Sequence, residues 1–401
     1  MRFFRVLGVL IAIVVVLAAV QVVRGAPAPA VSVSAAPKTV PGARPNLPWP
    51  SGEEAAVAVQ GVGFMGSHGG NQPVPIGSVA KMMTALLVLQ QHPLSIGQQG
   101  PQITVTPADV QEYQSEYVTH QSVVAVTAGE KLSEYQLLEG LLVPSGNNFA
   151  QILAHWVGGS ESKFVGMMNA KAKAMGLSHT KYADASGLSS LTVSSAKDQL
   201  ELAEVAMQNP VFAQIVAEPQ VTLPPPEGLV YNYNKEIGHR IGQDVVIGVK
   251  TGSTLQAGGC YIFAMQRSIA GKSVVVYGAV LGAGTVTPLD AAISQGISLG
   301  SSALSAVHPM RVVVGGTDVG TVVAPWQAPI AVHASSAVTL YGWGGLPVKT
   351  TLKEQPLKAP LPSGSAVGTM RVEVGAQSQT VKLISSGGVS APSLRWRLLR
   401  F

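Results

Sequence analysis

The sequence predicts an α+β fold, an antiparallel sheet flanked by helices, followed by a small all-β domain. Two changes of texture along the 401 residues carry that expectation. Between residues 79 and 207 apolar side chains recur at helical spacing, and between 244 and 283 they form strand-like runs, the order expected when helices cover one sheet. After His308 short β-rich segments alternate with Gly, Pro and Ser, which marks a second domain at residues 309–401.

The elements follow in order. The chain opens MRFFRVLGVLIAIVVVLAAVQVVRG, where Arg2 and Arg5 precede an uncharged stretch from Val6 to Val23 that Arg24 closes. As a helix that stretch rises about 27 Å, close to the thickness of a bilayer core. Residues 1–25 therefore read as a signal peptide or a signal anchor for the cytoplasmic membrane, with the arginines inside and the rest exported to its outer face. Ala26, Ala28 and Ala30 offer cleavage positions, interrupted by Pro27 and Pro29. Residues 26–50, rich in Pro, Ala, Ser and Val, read as an extended tether.

Residues 51–305 carry apolar helical runs at 79–91, 134–143, 148–157, 163–175 and 196–207. The strand-like runs DVVIGVKTG, GCYIFAMQRS and KSVVVYGAVLGA come next, and TPLDAAISQGISLGSSAL reads as a closing helix. In the second domain MRVVVGG, DVGTVVA, AVTLYGW, TMRVEVG and QTVKLISS read as strands. The terminal SLRWRLLRF alternates Leu394, Trp396 and Leu398 with arginines, a period of two that predicts a last strand.

Composition narrows the function. The formal charge of +5 is spread without a basic block, which suits anionic lipid or wall polymer better than nucleic acid. The eight histidines are scattered without His-Glu-x-x-His or Cys-x-x-Cys spacing, which points away from a metal or other cofactor. Cys260, the single cysteine, has no internal partner and reads as a small buried apolar residue.

The chemistry is expected in three short elements. PIGSVAKMMTALLVLQ sets Ser78 and Lys81 three apart on one helix face at the head of an apolar run. Ser160 with Lys163 and Ser194 with Lys197 share that spacing, so by itself it reads as a cap and a snorkelling lysine. LLVPSGNNFAQILA adds Ser145 and Asn147 between two helical runs, and GVKTGSTLQAGGC ends a strand with Lys250, Thr251 and Gly252. Ser-x-x-Lys, Ser-x-Asn and Lys-Thr-Gly in this order form the signature of serine acyl-transferases that react with penicillin.

With these motifs the sequence resembles the serine-type D-alanyl-D-alanine carboxypeptidases among the low-molecular-weight penicillin-binding proteins, peptidase family S11. AGEKLSEYQLLEGLLVPSGNNFA, KFVGMMNAKAKAMGLSHTKYADASGLS and GVKTGSTLQAGGCYIFAMQR carry the likeness over residues 45–305, and LKAPLPSGSAVGTMRVEV more loosely beyond. The resemblance implies a β-lactamase/transpeptidase-like catalytic domain that removes D-alanine from peptidoglycan stem peptides and is inhibited by β-lactams. It implies Ser78 as nucleophile, Lys81 as general base, Ser145 as proton relay, and a catalytic and carboxylate-holding Lys250. It further assigns Asn147, Thr251, Gly252 and Ser253 to substrate binding, with the amides of Ser78 and Ser253 as oxyanion hole. A base needs a neutral Lys81, for which burial and a cation at Lys250 are the expected causes. A β-lactamase and a non-catalytic wall scaffold are the alternatives.

The chain departs from the family in three places. GTVTPLDAA after Ala283 lacks the family's basic residue, Asn148 stands where an acidic residue is common, and the carboxy-terminal amphipathic anchor is reduced to a few residues.

Overall fold

The computed structural model describes residues 2–284 and 286–400. Met1, Thr285 and Phe401 lie outside the described residues, and with them one end of the leader, part of the loop after Ala283 and the last residue of the expected terminal strand. The chain divides into two compact units, residues 45–307 and residues 1–44 with 308–401.

In the larger unit β1 (Glu54–Val59) and β2 (Gly63–His68) form a hairpin. There follow α1 (Lys81–Gln91), α2 (Pro107–Val118), α3 (Glu134–Leu142), α4 (Asn147–Gly158), α5 (Glu161–Ala174), α6 (Ala196–Ala206) and α7 (Pro210–Val216). β3 (Asp244–Thr254), β4 (Gly258–Ile269), β5 (Lys272–Ala283) and α8 (Pro288–Ala306) complete it. The sheet runs β3-β4-β5-β1-β2, antiparallel at every step, with the short strand Arg240–Ile241 beside β3. This is the expected α+β class, with one amendment. The sheet also takes two strands from before the helices, because β1, fully buried along its length, pairs with β5.

Local chemistry starts the helices. Thr106 before α2 and Ser133 before α3 each close a capping box, with Asp109 and Gln136 in the first turns of those helices. Packing then fixes their place. The middle of β4 from Cys260 to Met265 is buried on both faces, which explains its unbroken apolar run. Gly296 and Gly300 let α8 approach one face, since a methyl group there would stand 2.5 Å from the Tyr261 ring and from Met265 Sδ respectively. Cys260, Ile262 and Ala264 join the core that α1, α4 and α6 build on the other.

One buried ion pair ties β3 to β4. Arg267 meets the buried Asp244 through Nε at 2.6 Å and Nη2 at 3.0 Å, a two-pronged pairing. Arg267→Ala strands that carboxylate, and the expected loss is about 3 kcal/mol of unfolding free energy. Urea denaturation of the whole chain measures it, and an unchanged midpoint would show the pair to be neutral.

The smaller unit is a six-stranded sheet in the order Ala30–Val33, Asp318–Val323, Ile330–Ala334, Gln377–Ser385, Ala366–Val374, Lys349–Glu354. A separate pair joins His308–Val313 to Val338–Gly342. Two expectations are corrected here. Residues 26–50 are not a free tether throughout, because Ala30–Val33 pairs with Asp318–Val323 and Val40 donates its amide to Leu346 O at 2.8 Å. Composition hid this strand, whose hydrogen bonds come from a segment far along the chain. The terminal residues form a helix, Leu394–Leu399, instead of a strand. There the Ser393 hydroxyl accepts from Trp396 N, and a local cap outweighs a period-two pattern too short to find a partner strand.

The amino-terminal helix Arg2–Val23 contains one stretch, Phe3–Val23, long and apolar enough to cross a membrane. Arg400 donates to Gln21 O at 3.0 Å and to Gly25 O at 3.1 Å, and also bonds Arg24 O. A guanidinium thus meets the open carbonyls where that helix ends.

Candidate active site

The nucleophile candidate sits in a 3-10 turn, Gly77–Ala80, immediately before α1. Ser78 is therefore not the cap of a helix, and no side chain caps either element. Gly77 has φ +53°, which turns the chain into the site, and a methyl group there would stand 3.3 Å from Ser253 N. A methyl group on Gly252 would stand 2.8 Å from Ser78 N and 2.9 Å from Val79 N. This gives that glycine a reason within the fold. The space it leaves is filled by the turn of Ser78 itself, so Lys-Thr-Gly is pressed against Ser-x-x-Lys inside the fold.

Lys81 opens α1 and is fully buried. Its Nζ lies 2.9 Å from Ser78 Oγ, 2.6 Å from Asn147 Oδ1 and 3.1 Å from the backbone oxygen of Ser186. Asn147, at the start of α4, donates its Nδ2 to Gln121 Oε1 at 2.8 Å and its amide to Ser122 O at 2.7 Å. Burial lowers the Lys81 amine to about 7, while the carboxylates of Asp184 and Glu116 push the other way. Half of the amine population is then neutral near pH 7.

Lys250, buried in β3, donates to Thr251 O at 2.9 Å. Its amine is held well below the usual lysine range, first by burial and then by the Lys81 charge. Burial is the first cause at both amines, as expected, and the repulsion between the two lysines disfavours charging either beside the other. Ser145 sits between α3 and α4 at φ +63°, with a buried hydroxyl that has no hydrogen-bond partner among the described residues. It contacts neither lysine through a hydrogen bond.

The structure thus brings Ser78, Lys81 and Asn147 into one hydrogen-bonded group, with Gly252 and Ser253 against its turn. Cys260 stands behind it, its thiol near Pro75 O and Ala257 O and pushed by burial to about 12. Asn148, the departure from the usual acidic residue, has a structural use. Its Oδ1 accepts from Val124 N at 3.0 Å and its Nδ2 donates to Val124 O at 2.7 Å, a two-way grip that a carboxylate lacks.

Gln121, Glu116 and the Ser186 carbonyl were invisible to motif reading. Gln121 and Glu116 lie outside the three motifs, and a backbone oxygen leaves no mark in a sequence. Only the turn-forming Asp-Ala-Ser-Gly of residues 184–187 signalled a tight loop there.

Residues 64–284, more than half of the chain, match the D-alanyl-D-alanine carboxypeptidase family. The D-alanyl-D-alanine carboxypeptidase DacB2 of Mycobacterium tuberculosis is 35% identical over 207 residues, covering 50% of this chain and 65% of the relative. The D-alanyl-D-alanine carboxypeptidase of Streptomyces sp. strain K15 is 30% identical over 213 residues, 50% of this chain and 70% of that one. For the first relative and the D-alanyl-D-alanine endopeptidases of Escherichia coli and Pseudomonas aeruginosa, the chain spans 65%, 62% and 58% of their lengths. Among solved structures, the Streptomyces K15 DD-transpeptidase superposes with a TM-score of 0.55 at 25% identity, over 65% of this chain and 99% of that one. The D-alanyl-D-alanine carboxypeptidase DacD of Francisella tularensis gives 0.60 at 20% identity over 87% and 96%, a likeness of fold.

Proposed function

Because the chain belongs to the D-alanyl-D-alanine carboxypeptidase family, we propose that it removes the terminal D-alanine from peptidoglycan stem peptides through an acyl-enzyme on Ser78. β-Lactams acylate the same hydroxyl. The observation that carries this reading is the buried Lys81 amine 2.9 Å from Ser78 Oγ. A neutral amine has two N–H bonds and one lone pair. Asn147 Oδ1 and the Ser186 carbonyl only accept, so together they take both protons and leave the lone pair for the Ser78 hydroxyl.

In the proposed cycle Ser78 Oγ attacks the carbonyl carbon of the penultimate D-alanine while its proton passes to Lys81. The amides of Ser78 and Ser253 stabilise the oxyanion, and collapse breaks the peptide bond. Ser145 passes the proton on to the departing amine, a role for a buried hydroxyl that makes no hydrogen bond among the described residues. Asn147 holds the substrate amide, and Thr251 and Lys250 hold its terminal carboxylate, an anion that draws a proton onto Lys250. Water then cleaves the ester and returns Ser78. Among the acidic residues after Ser145, Glu161 and Asp184 both accept hydrogen bonds from backbone amides, which favours a slowly hydrolysed penicillin adduct over a β-lactamase. We place the catalytic unit outside the cytoplasm, with Phe3–Val23 as its membrane segment.

The test is mass spectrometry of a synthetic wall pentapeptide ending in D-Ala-D-Ala after incubation with the protein. Loss of one alanine is expected. An unchanged peptide, together with rapid turnover of a chromogenic cephalosporin, would replace this reading with the β-lactamase one.

A further inference from the structure

We propose that Asp184 is a positioning residue for Lys81, acting through the backbone of residues 183–192, a role that rests on the reading of Lys81 as the base. Of the two acceptors that orient the amine, Asn147 is a side chain on a helix, whereas Ser186 O belongs to a loop. A loop carbonyl directs a lone pair only if something holds the loop. Here four groups of the loop converge on one carboxylate.

Asp184 Oδ2 accepts from Ser186 Oγ at 2.8 Å, from Leu188 N at 2.7 Å and from Ser189 N at 3.4 Å. Its Oδ1 accepts from Thr192 Oγ1, which in turn accepts from Ala183 N at 2.9 Å. Both ends of the loop are thereby drawn to the same side chain. The loop is also fastened to the site. Ala185 O accepts from Thr84 Oγ1 of α1 at 2.7 Å, and a methyl group on Gly187 would stand 1.9 Å from Gly77 O. The loop therefore lies directly on the turn that carries Ser78, and Asp184 sets where the Ser186 oxygen stands.

The carboxylate has a second effect, by charge. The groups facing Lys81 are Asp184 from this loop, Glu116 from α2 and Lys250 from β3. Asp184 stabilises the protonated amine, so it keeps Lys81 from being depressed further. Position and proton affinity are thus set by one residue, and two substitutions separate them. Asp184→Asn keeps an oxygen for Ser186, Leu188 and Ser189 but removes the charge. Asp184→Ala removes both.

The experiment is the pH dependence of acylation by a fluorescent penicillin, measured on the full chain for the parent and both variants. For Asp184→Asn the acid limb is expected to move to lower pH, with the plateau rate within about threefold of the parent. For Asp184→Ala the plateau is expected to fall at least about tenfold, since the lone pair is no longer directed. A purely structural role would lower the rate of labelled protein without moving the limb. Parent-like limbs and plateaus in both variants overturn the proposal. Should Asp184→Ala fail to fold, Thr192→Val, which removes a bond from the same loop to Asp184, is expected to lower the plateau in its place, and a parent-like plateau there overturns the positioning role. Absence of an adduct on the parent is a separate result that overturns the underlying function and this role with it.

Discussion

Ser78→Ala is expected to abolish both the penicillin adduct and the release of D-alanine, while leaving the thermal transition of the chain in place. The substitution removes one oxygen from a 3-10 turn whose Val79 and Ala80 stay packed in the core, so the fold has little to lose. Chemically it has everything to lose. Ser145 is the other serine of the motifs, but its hydroxyl makes no hydrogen bond to Lys81 and has no base to take its proton. Intact-mass spectrometry after exposure to penicillin reads the result directly. An adduct that survives on Ser78→Ala would remove Ser78 as the nucleophile.

Lys81→Met is expected to reduce acylation by about 10³-fold at every pH, because methionine fills the amine's volume and supplies no base. In the parent the sign follows from the lowered amine. Lys81 is neutral above about 7 and protonated below it, so acylation falls about tenfold for each pH unit on the acid side and levels off on the alkaline side. The variant should show no limb near 7. Stability should move little. An apolar side chain relieves the desolvation of the buried amine but leaves Asn147 Oδ1 and Ser186 O without their donor, and the two effects oppose each other. Lys81→Met should therefore melt close to the parent temperature while being nearly inactive. A variant that retains its rate and its limb near 7 would show that another group serves as base.

How much of this was legible in the sequence differs from element to element. The helix headed by Lys81 and the strands Asp244–Thr254 and Lys272–Ala283 follow from periodicity, since each buries a stripe or a face whose spacing is written locally. The run Glu54–Val59 is short and apolar and carries no period, so its membership of the sheet depended on pairing with β5. Ala30–Val33 fails for the same reason, and the terminal helix was misread because alternation over a few residues competes poorly with a cap. At the site, Ser78, Lys81, Ser145, Asn147 and the Lys-Thr-Gly run were recognisable by type and order. The close packing of Gly252 on the Ser78 turn, the Gln121 support of Asn147 and the Ser186 oxygen were not, because each joins residues far apart in the chain.

The amino-acid order alone determined which groups this protein has for the proposed acyl transfer and that a lysine stands one turn from a serine. Spacing along a chain is a local property, and one helical turn is enough to express it. Only the tertiary structure decided that the amine is buried, which carbonyls take its protons and which carboxylate fixes the loop beneath it. Those outcomes depend on desolvation and on directions in space, and both arise when segments more than a hundred residues apart close around the same nitrogen.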